Sequence, residues 1–130
     1  MQRDFDGLTG RIVIPSDPEY NELRQDYNRA IQQYPLMINY CADKADVANA
    51  VKWSRKYDVS LRIRNGGHNY EGYSNGNGTL ILDISEMNRM NLDERANLLT
   101  ADGGVTNGQV YAFVSSRGYP FPGGTCPTVG

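Results

Sequence analysis

Apolar and aromatic residues recur at helical spacing in the first part of the chain. They lie three or four residues apart, as one face of a helix requires, and they are Tyr20, Leu23, Tyr27, Ile31 and Tyr34. Ser16 and Glu19 form a capping-box pattern just before this face. The helix should end before Pro35, because the residue preceding a proline disfavours helical geometry. The pattern predicts an extended segment over residues 11–14 and then a helix that reaches Tyr34.

Short apolar runs alternate with a second helical pattern in the centre of the chain. Leu36 to Tyr40 is predicted to be a strand, Asp43 to cap a helix, and Val59 to Ile63 to form the next strand. A strand, helix and strand within about 30 residues are typical of parallel βαβ pairing. The continuous apolar run Leu80 to Leu82 predicts a strand buried on both faces.

The last third predicts two more strands and a third helix. Met90 to Leu92 and Leu98 to Ala101 are the strands, with a turn between them. Thr106 and Gln109 have capping-box spacing, and Gly118 is a suitable residue to end the helix. Its inner face would be Val110, Phe113 and Val114. The fold class expected from these elements is α+β, with a small parallel βαβ layer.

Composition narrows the class of function. The chain has 130 residues and a net charge of −2, enough for one domain and without the basic excess typical of nucleic-acid binding. No apolar run approaches the roughly 20 residues of a membrane span, and residues 1–10 lack the apolar core of a secretory signal. Two cysteines and one histidine make a disulfide framework or a metal site a poor interpretation. We therefore expect a cytoplasmic protein without nucleic-acid, membrane or metal partners.

A glycine-rich loop, RNGGHNYEGYS, occupies residues 64–74 between two predicted strands. Adjacent glycines allow backbone N–H groups to point into one concavity, which suits a phosphate or pyrophosphate. Arg64 could add a bidentate donor. A Rossmann loop is excluded, because that motif opens a helix and this loop leads into a strand. The alternative is a surface connection that happens to carry an exposed histidine.

A second motif, GGTCPTVG, occupies residues 123–130. It places Cys126 in an irregular loop between glycines and a proline, and loops held by a scaffold often carry chemistry. An inert, buried cysteine is the alternative for any isolated thiol. That alternative fits Cys41, which follows a predicted strand and is assigned no role.

Together the two motifs resemble the berberine-bridge-enzyme-like branch of the FAD-linked oxidases, whose flavin domain is of the p-cresol-methylhydroxylase (PCMH, or vanillyl-alcohol oxidase) type. The similarity begins in LTGRIVIPSDPEYNELRQDYN, continues through DKADVANAVKWSRKYDVSLRIRNGGHNYEGYS and ends at GGTCPTVG. It implies an N-terminal segment with a helix over residues 1–34. Residues 35–130 would then be a PCMH-type FAD-binding domain that is truncated at its C-terminal end.

The resemblance also implies the site. In this family the histidine of the G-G-H segment, here His68, bonds to the C8 methyl of the isoalloxazine ring, and the cysteine matching Cys126 bonds to C6 in bicovalent members. The predicted FAD-binding residues are Arg64, Asn65, Gly66, Gly67, His68, Asn69, Tyr70, Ser74, Cys126 and Gly130. Asn69 stands where serine is frequent.

The expected activity is oxidation of a small organic substrate, such as an alcohol or sugar. Hydride would pass to covalent FAD, and oxygen or another acceptor would reoxidise it. The catalytic base is expected beyond residue 130, so residues 1–130 alone should be inactive and marginally stable.

Two other functions are compatible with the residues. Cys126 could be the nucleophile of a hydrolase with His68 as its base, and Asp83 or Asp102 would then be the orienting group. The glycine loop could also serve a non-catalytic nucleotide-binding module.

Overall fold

A computed structural model describes residues 5–130 of the chain. Its helices are α1 (Tyr20–Leu23), α2 (Lys44–Tyr57) and α3 (Asn107–Ser115). Its strands are β1 (Arg11–Val13), β2 (Met37–Tyr40), β3 (Leu61–Arg64), β4 (Leu80–Asp83), β5 (Met90–Asp93) and β6 (Leu98–Ala101). The first four strands form one sheet in the order β1-β2-β4-β3, and β5 pairs with β6 in a second, antiparallel sheet.

Strand β4 lies at the centre of the larger sheet and is parallel to both of its neighbours. Leu80 pairs with Met37 of β2 and with Leu61 of β3. Leu80 and Leu82 pack on the side of α2, whereas Ile81 packs on the opposite face with residues of β1, β2 and α1. The expectation of a strand buried on both faces is confirmed. The predicted parallel relation of β2 and β3 is also correct, but β4 is inserted between them.

Helix α2 forms where its cap and apolar face predict it. One Asp43 carboxylate oxygen accepts hydrogen bonds from the backbone N–H groups of Ala45 (2.8 Å) and Asp46 (3.0 Å). Such a cap satisfies donors that the first helical turn leaves free. Ala50 and Trp53 are buried against the sheet. This helix therefore closes one face of the parallel layer.

The first helix is much shorter than predicted, because α1 ends at Leu23 rather than at Tyr34. The Arg24 side chain donates to the carbonyl of Gln33 (3.0 Å), and the Tyr27 N–H donates to the carbonyl of Gly67 (3.0 Å). The Tyr27 hydrogen bond replaces the backbone bond that a continued helix would make, and the Arg24 side chain stabilises the path of the chain that follows. Ser16 does not cap α1 either, since the residue before the helix is Glu19 and no side-chain cap is formed.

Helix α3 packs beside the smaller sheet and is capped as predicted. The Thr106 N–H donates to the Gln109 side chain at 2.8 Å, one half of a capping box. Val110 and Val114 are buried with Val105. Gly118 follows the helix with a φ of +80°, a conformation that glycine adopts freely. Within residues 5–130, every helix falls short of the length and apolar character needed to cross a lipid bilayer.

Candidate cofactor-binding site

A buried ion pair fixes the strand end from which the glycine loop begins. Arg64 is the last residue of β3 and Asp83 the last residue of β4, and the parallel register places them side by side. The Arg64 Nε donates to Asp83 at 2.8 Å, and the two side chains are 5% and 3% exposed. The other Asp83 oxygen accepts from the backbone N–H and the hydroxyl of Ser85. The Nη1 atom of Arg64 is buried without a hydrogen-bond partner.

Two adjacent glycines allow the loop to pass close to other parts of the chain. A Cβ on Gly66 would overlap the carbonyl oxygen of Thr128 and lie 3.1 Å from the Gly130 nitrogen. Gly67 has a φ of +66°, and a Cβ there would lie 3.3 Å from a carboxylate oxygen of Asp26. The first glycine thus permits a close approach, and the second permits a left-handed backbone.

The start of helix α3 holds the second motif against the glycine loop. The backbone N–H groups of Asn107 and Gly108 donate to the carbonyls of Val129 and Pro127, both at 2.8 Å. The Asn107 side chain also donates to the Cys126 carbonyl at 3.1 Å. First-turn N–H groups have no partner within their own helix. They are therefore available to fix this irregular loop in place.

The structure brings His68 and Cys126 together through a shared neighbour. His68 Nε2 lies 2.8 Å from the Thr128 hydroxyl oxygen, and the Cys126 sulfur lies 3.5 Å from the same oxygen. The ring of Tyr27 stacks on the imidazole, with centroids 4.0 Å apart and planes inclined by 20°. Position and ring orientation of His68 are therefore both constrained.

The two cysteines have opposite electrostatic environments. Burial raises the pKa of the Cys41 thiol to about 12, and nearby carboxylates, first Asp46, add to that effect. Hydrogen bonds from the Thr128 hydroxyl and from the Thr128 and Val129 backbone hold the pKa of the Cys126 thiol below its ordinary value. Because the thiolate is the reactive form, Cys126 is the cysteine suited to bond formation.

Two pockets meet at His68. A pocket of about 750 Å³ is lined by Tyr27, Arg29, His68, Tyr70, Cys126 and Val129, among others. A smaller one of about 310 Å³ is lined by the glycine loop with Ser74, Val129 and Gly130. The Ser74 hydroxyl and the Asn65 side-chain oxygen are buried without hydrogen-bond partners. A larger pocket with two nucleophilic atoms thus adjoins a smaller one lined by glycines and several polar side chains, which suits a flat ring joined to a phosphate-bearing chain.

Three residues predicted for the site differ in their surroundings: Asn69 and Tyr70 line its two pockets, whereas Arg64 does not. Arg64 lines a neighbouring pocket of about 270 Å³ with Asp83 and the two glycines. The Asn69 side chain accepts from the N–H groups of Glu71 and Tyr73, both at 3.0 Å, and so closes its own turn. Tyr70 lines the larger pocket with 91% of its surface exposed.

Sequence reasoning missed three neighbours of the site. Tyr27 was assigned to a helix face, and Thr128 belonged to a recognised motif without a role of its own. Asp26 lies beneath Gly67, is 2% exposed, and has no hydrogen-bond partner for either carboxylate oxygen. Its isolated position in the sequence carries no signal, because only the loss of the predicted helix after Leu23 turns it inward.

Asp26→Asn should stabilise the protein at neutral pH and flatten its pH dependence. Burial raises the pKa of the Asp26 carboxyl, and the positive charge of Arg64 and the neighbouring Asn75 amide only partly oppose this. The contribution of Asp26 to the free energy of unfolding is therefore fully present below the unfolded pKa of its carboxyl, about 3.9. That contribution is lost as the pH rises through the folded pKa. Thermal melts between pH 4 and pH 8 measure the effect. Glu94→Gln, at an exposed turn, is the control, and unchanged curves for both variants would contradict the assignment.

The geometry disfavours a hydrolase. Asp83 is engaged by Arg64 and Ser85, and Asp102 accepts from the backbone and side chain of Arg89, both at 3.2 Å. The group that contacts His68 Nε2 is the Thr128 hydroxyl. Neither aspartate therefore orients the imidazole as a nucleophile–base–acid arrangement requires.

Comparison with known proteins identifies the family to which the two motifs belong. The sequence profile of the FAD binding domain matches residues 35–130. The uncharacterized FAD-linked oxidoreductase YgaK of Bacillus subtilis is 41% identical over 123 residues, covering 95% of this chain and 27% of the relative. Berberine bridge enzyme-like 18 of Arabidopsis thaliana is 34% identical over 141 residues, covering 100% of this chain and 26% of that protein.

A solved structure shows the same fold. The crystal structure of 6-hydroxy-D-nicotine oxidase from Arthrobacter nicotinovorans matches with a TM-score of 0.90 and 27% identity, covering 95% of this chain and 27% of that one. The α+β arrangement is thus that of a PCMH-type flavin domain, and the predicted resemblance to berberine-bridge-enzyme-like FAD-linked oxidases is confirmed. The chain belongs to the FAD binding domain family. It spans about a quarter of the length of these relatives.

Proposed function

We propose that the two joined pockets hold FAD. The single observation that carries the proposal is the meeting, at His68, of a larger pocket and a smaller one lined by the glycine loop. The isoalloxazine ring would occupy the larger pocket. The pyrophosphate would contact the backbone N–H groups of residues 64–70, with Ser74 and Gly130 beside it. Buried polar atoms without partners, such as the Ser74 hydroxyl, normally acquire one, which supports a polar ligand in the smaller pocket.

We further propose that the flavin is covalently bound, through His68 to the C8 methyl and through Cys126 to C6. The stacked, hydrogen-bonded imidazole and the thiol with a lowered pKa are suitable nucleophiles. Forming each bond replaces one C–H bond and one N–H or S–H bond by C–N or C–S. For each bond formed, two protons and two electrons are released, and oxygen would take them up as the acceptor.

The whole protein would oxidise a small organic substrate by hydride transfer to FAD, with oxygen or another acceptor closing the cycle. The substrate would be an alcohol, a sugar or a related compound. When bound, FAD supplies the electron-accepting chemistry, and the described residues bind it and orient it. The comparison with 6-hydroxy-D-nicotine oxidase supports oxidase chemistry of this kind. Among the residues that the structure describes, no carboxylate lines either pocket as a substrate base, and residues 1–130 alone are proposed to be inactive.

Acid precipitation of the full-length protein tests the covalent attachment. Flavin should stay with the pellet, and peptide mass analysis should find it on His68 and Cys126. Cys126→Ala should keep flavin attached through His68, and the double variant with His68→Ala should release all of it. Cys41→Ala is the matched control, because that thiol is buried away from the site, and it should not alter attachment. Release of all flavin as free FAD from the unmodified protein would contradict the proposal.

A further inference from the structure

The Thr128 hydroxyl lies between the two proposed attachment residues. Its oxygen is 2.8 Å from His68 Nε2 and 3.5 Å from the Cys126 sulfur. A hydroxyl has one hydrogen to donate and two lone pairs that accept. The hydroxyl can therefore donate to only one of these neighbours at a time. When it donates to one of them, it can only accept a hydrogen bond from the other.

Two arrangements satisfy all three groups. When Cys126 is a thiol, its sulfur is only a weak acceptor. The hydroxyl therefore donates to Nε2 and accepts from the S–H, which leaves the imidazole proton on Nδ1. When Cys126 is a thiolate, the hydroxyl donates to the sulfur. Nε2 must then carry the proton and donate to the hydroxyl oxygen, because neutral imidazole has one donor and one acceptor nitrogen. Nδ1 is left with its lone pair.

We infer that Thr128 is a positioning residue that couples the ionisation of Cys126 to the tautomer of His68. Loss of the thiol proton reverses the hydroxyl and moves the imidazole proton from Nδ1 to Nε2. The balance is one proton released to solvent, and the imidazole remains neutral with one proton throughout. Ionisation of Cys126 thereby makes both nucleophiles available: the thiolate of Cys126 and the Nδ1 lone pair of His68. The use of this coupling in flavin attachment rests on the proposed function.

The surroundings favour the coupling. The Tyr27 ring stacked on the imidazole holds its plane, so a change of tautomer does not require rotation of the ring. The bonds from α3 to residues 126, 127 and 129 hold the loop on which both Cys126 and Thr128 lie. Arg29 also lines the pocket, but its charge is paired with Glu22 at 2.8 Å. Tyr27 and Tyr70 are the other titratable side chains at this pocket.

Flavin-free full-length protein, produced in riboflavin-limited cells, provides the test. Imidazole ¹⁵N shifts report the His68 tautomer as a function of pH, with His68→Gln identifying the signal. The rate of iodoacetamide alkylation at Cys126 reports its ionisation. In the unmodified protein the Nε2–H tautomer should increase over the same pH range as alkylation. Thr128→Val should move the alkylation midpoint to higher pH and separate the two curves, and Thr128→Ser should restore both.

Addition of FAD to the flavin-free protein tests whether the coupling affects covalent attachment of the flavin. Thr128→Val should slow covalent attachment at both residues by about tenfold, the effect of losing one hydrogen bond to an ionised group. Thr125→Val, three residues away on the exposed part of the same loop, is the matched control and should behave like the unmodified protein.

Identical alkylation and tautomer curves in the unmodified protein and in a folded Thr128→Val variant would overturn the inference. If that variant does not fold, Cys126→Ala decides, because it should abolish the pH-dependent tautomer change and an unaltered change would refute the coupling. Coupled curves without covalent flavin would refute the proposed function alone. Covalent flavin with independent curves would refute the coupling alone.

Discussion

Gly67→Val should produce a full-length protein that folds but carries no flavin. Gly67 has a φ of +66° and lies over Asp26 at the floor of the glycine loop. A valine there adopts the left-handed conformation at a cost of about 1–2 kcal/mol. Its Cβ would also lie 3.3 Å from the Asp26 carboxylate beneath the loop, so the backbone N–H groups that would contact the pyrophosphate should be displaced. The measurement is the ratio of flavin absorbance to protein absorbance after purification.

Gly78→Val is the control that separates the effect of backbone strain from the effect of a damaged flavin-binding loop. Gly78 has the same φ of +66°, and a Cβ at that position would meet no atom within 4 Å. This variant bears the same backbone cost outside the pockets and should load flavin normally. Normal loading in a folded Gly67→Val protein, or equal loss in both variants, would contradict the assignment of the glycine loop.

Asp83→Ala should destabilise the protein by about 3–5 kcal/mol, because it leaves the buried Arg64 guanidinium without its counter-charge. The pair joins the ends of β3 and β4, and both side chains are almost fully buried. Urea-induced unfolding of the full-length protein measures the change. The glycine loop begins at Arg64, so flavin content should fall as well.

The exposed pair of Arg29 and Glu22 is the matched control. Its N–O distance is also 2.8 Å, but the side chains are 57% and 75% exposed. Glu22→Ala should therefore cost no more than about 1 kcal/mol. Replacing both buried partners, as Arg64→Met with Asp83→Leu, should be less damaging than Asp83→Ala alone, because no unpaired buried charge remains. A similar loss from Glu22→Ala and Asp83→Ala would contradict this account.

Local patterns predicted most elements because their causes lie within a few residues. The Asp43 cap, the capping box of Thr106 and Gln109, and the apolar run Leu80 to Leu82 each act over one turn or one strand. The predicted helix to Tyr34 was wrong for the opposite reason. Its spacing was helical, but hydrogen bonds from Arg24 and Tyr27 to distant carbonyls stabilise another path, and helix propensity is too weak to compete with them.

The sequence predicted the motifs of the candidate site, but it did not predict the contacts between them. Glycines 66 and 67, His68 and Cys126 stand in recognisable segments, and the resemblance of these segments to a known family implied the roles of His68 and Cys126. Thr128 became notable only when folding placed its hydroxyl between His68 and Cys126, 60 residues from the former and two from the latter. Asp26 and Tyr27 likewise reach the loop through an irregular segment that no local pattern predicts.

The sequence by itself determined the strands, the two longer helices and the two motifs that contain His68 and Cys126, because propensity, capping and residue type are local properties. Only the tertiary structure decided that β4 lies between β2 and β3, that Arg64 is paired with Asp83, and that one hydroxyl contacts both His68 and Cys126. These features depend on strand register and on contacts between residues far apart in the chain. Their energies arise from burial and from long-range hydrogen bonds, which exist only once the segments have packed together.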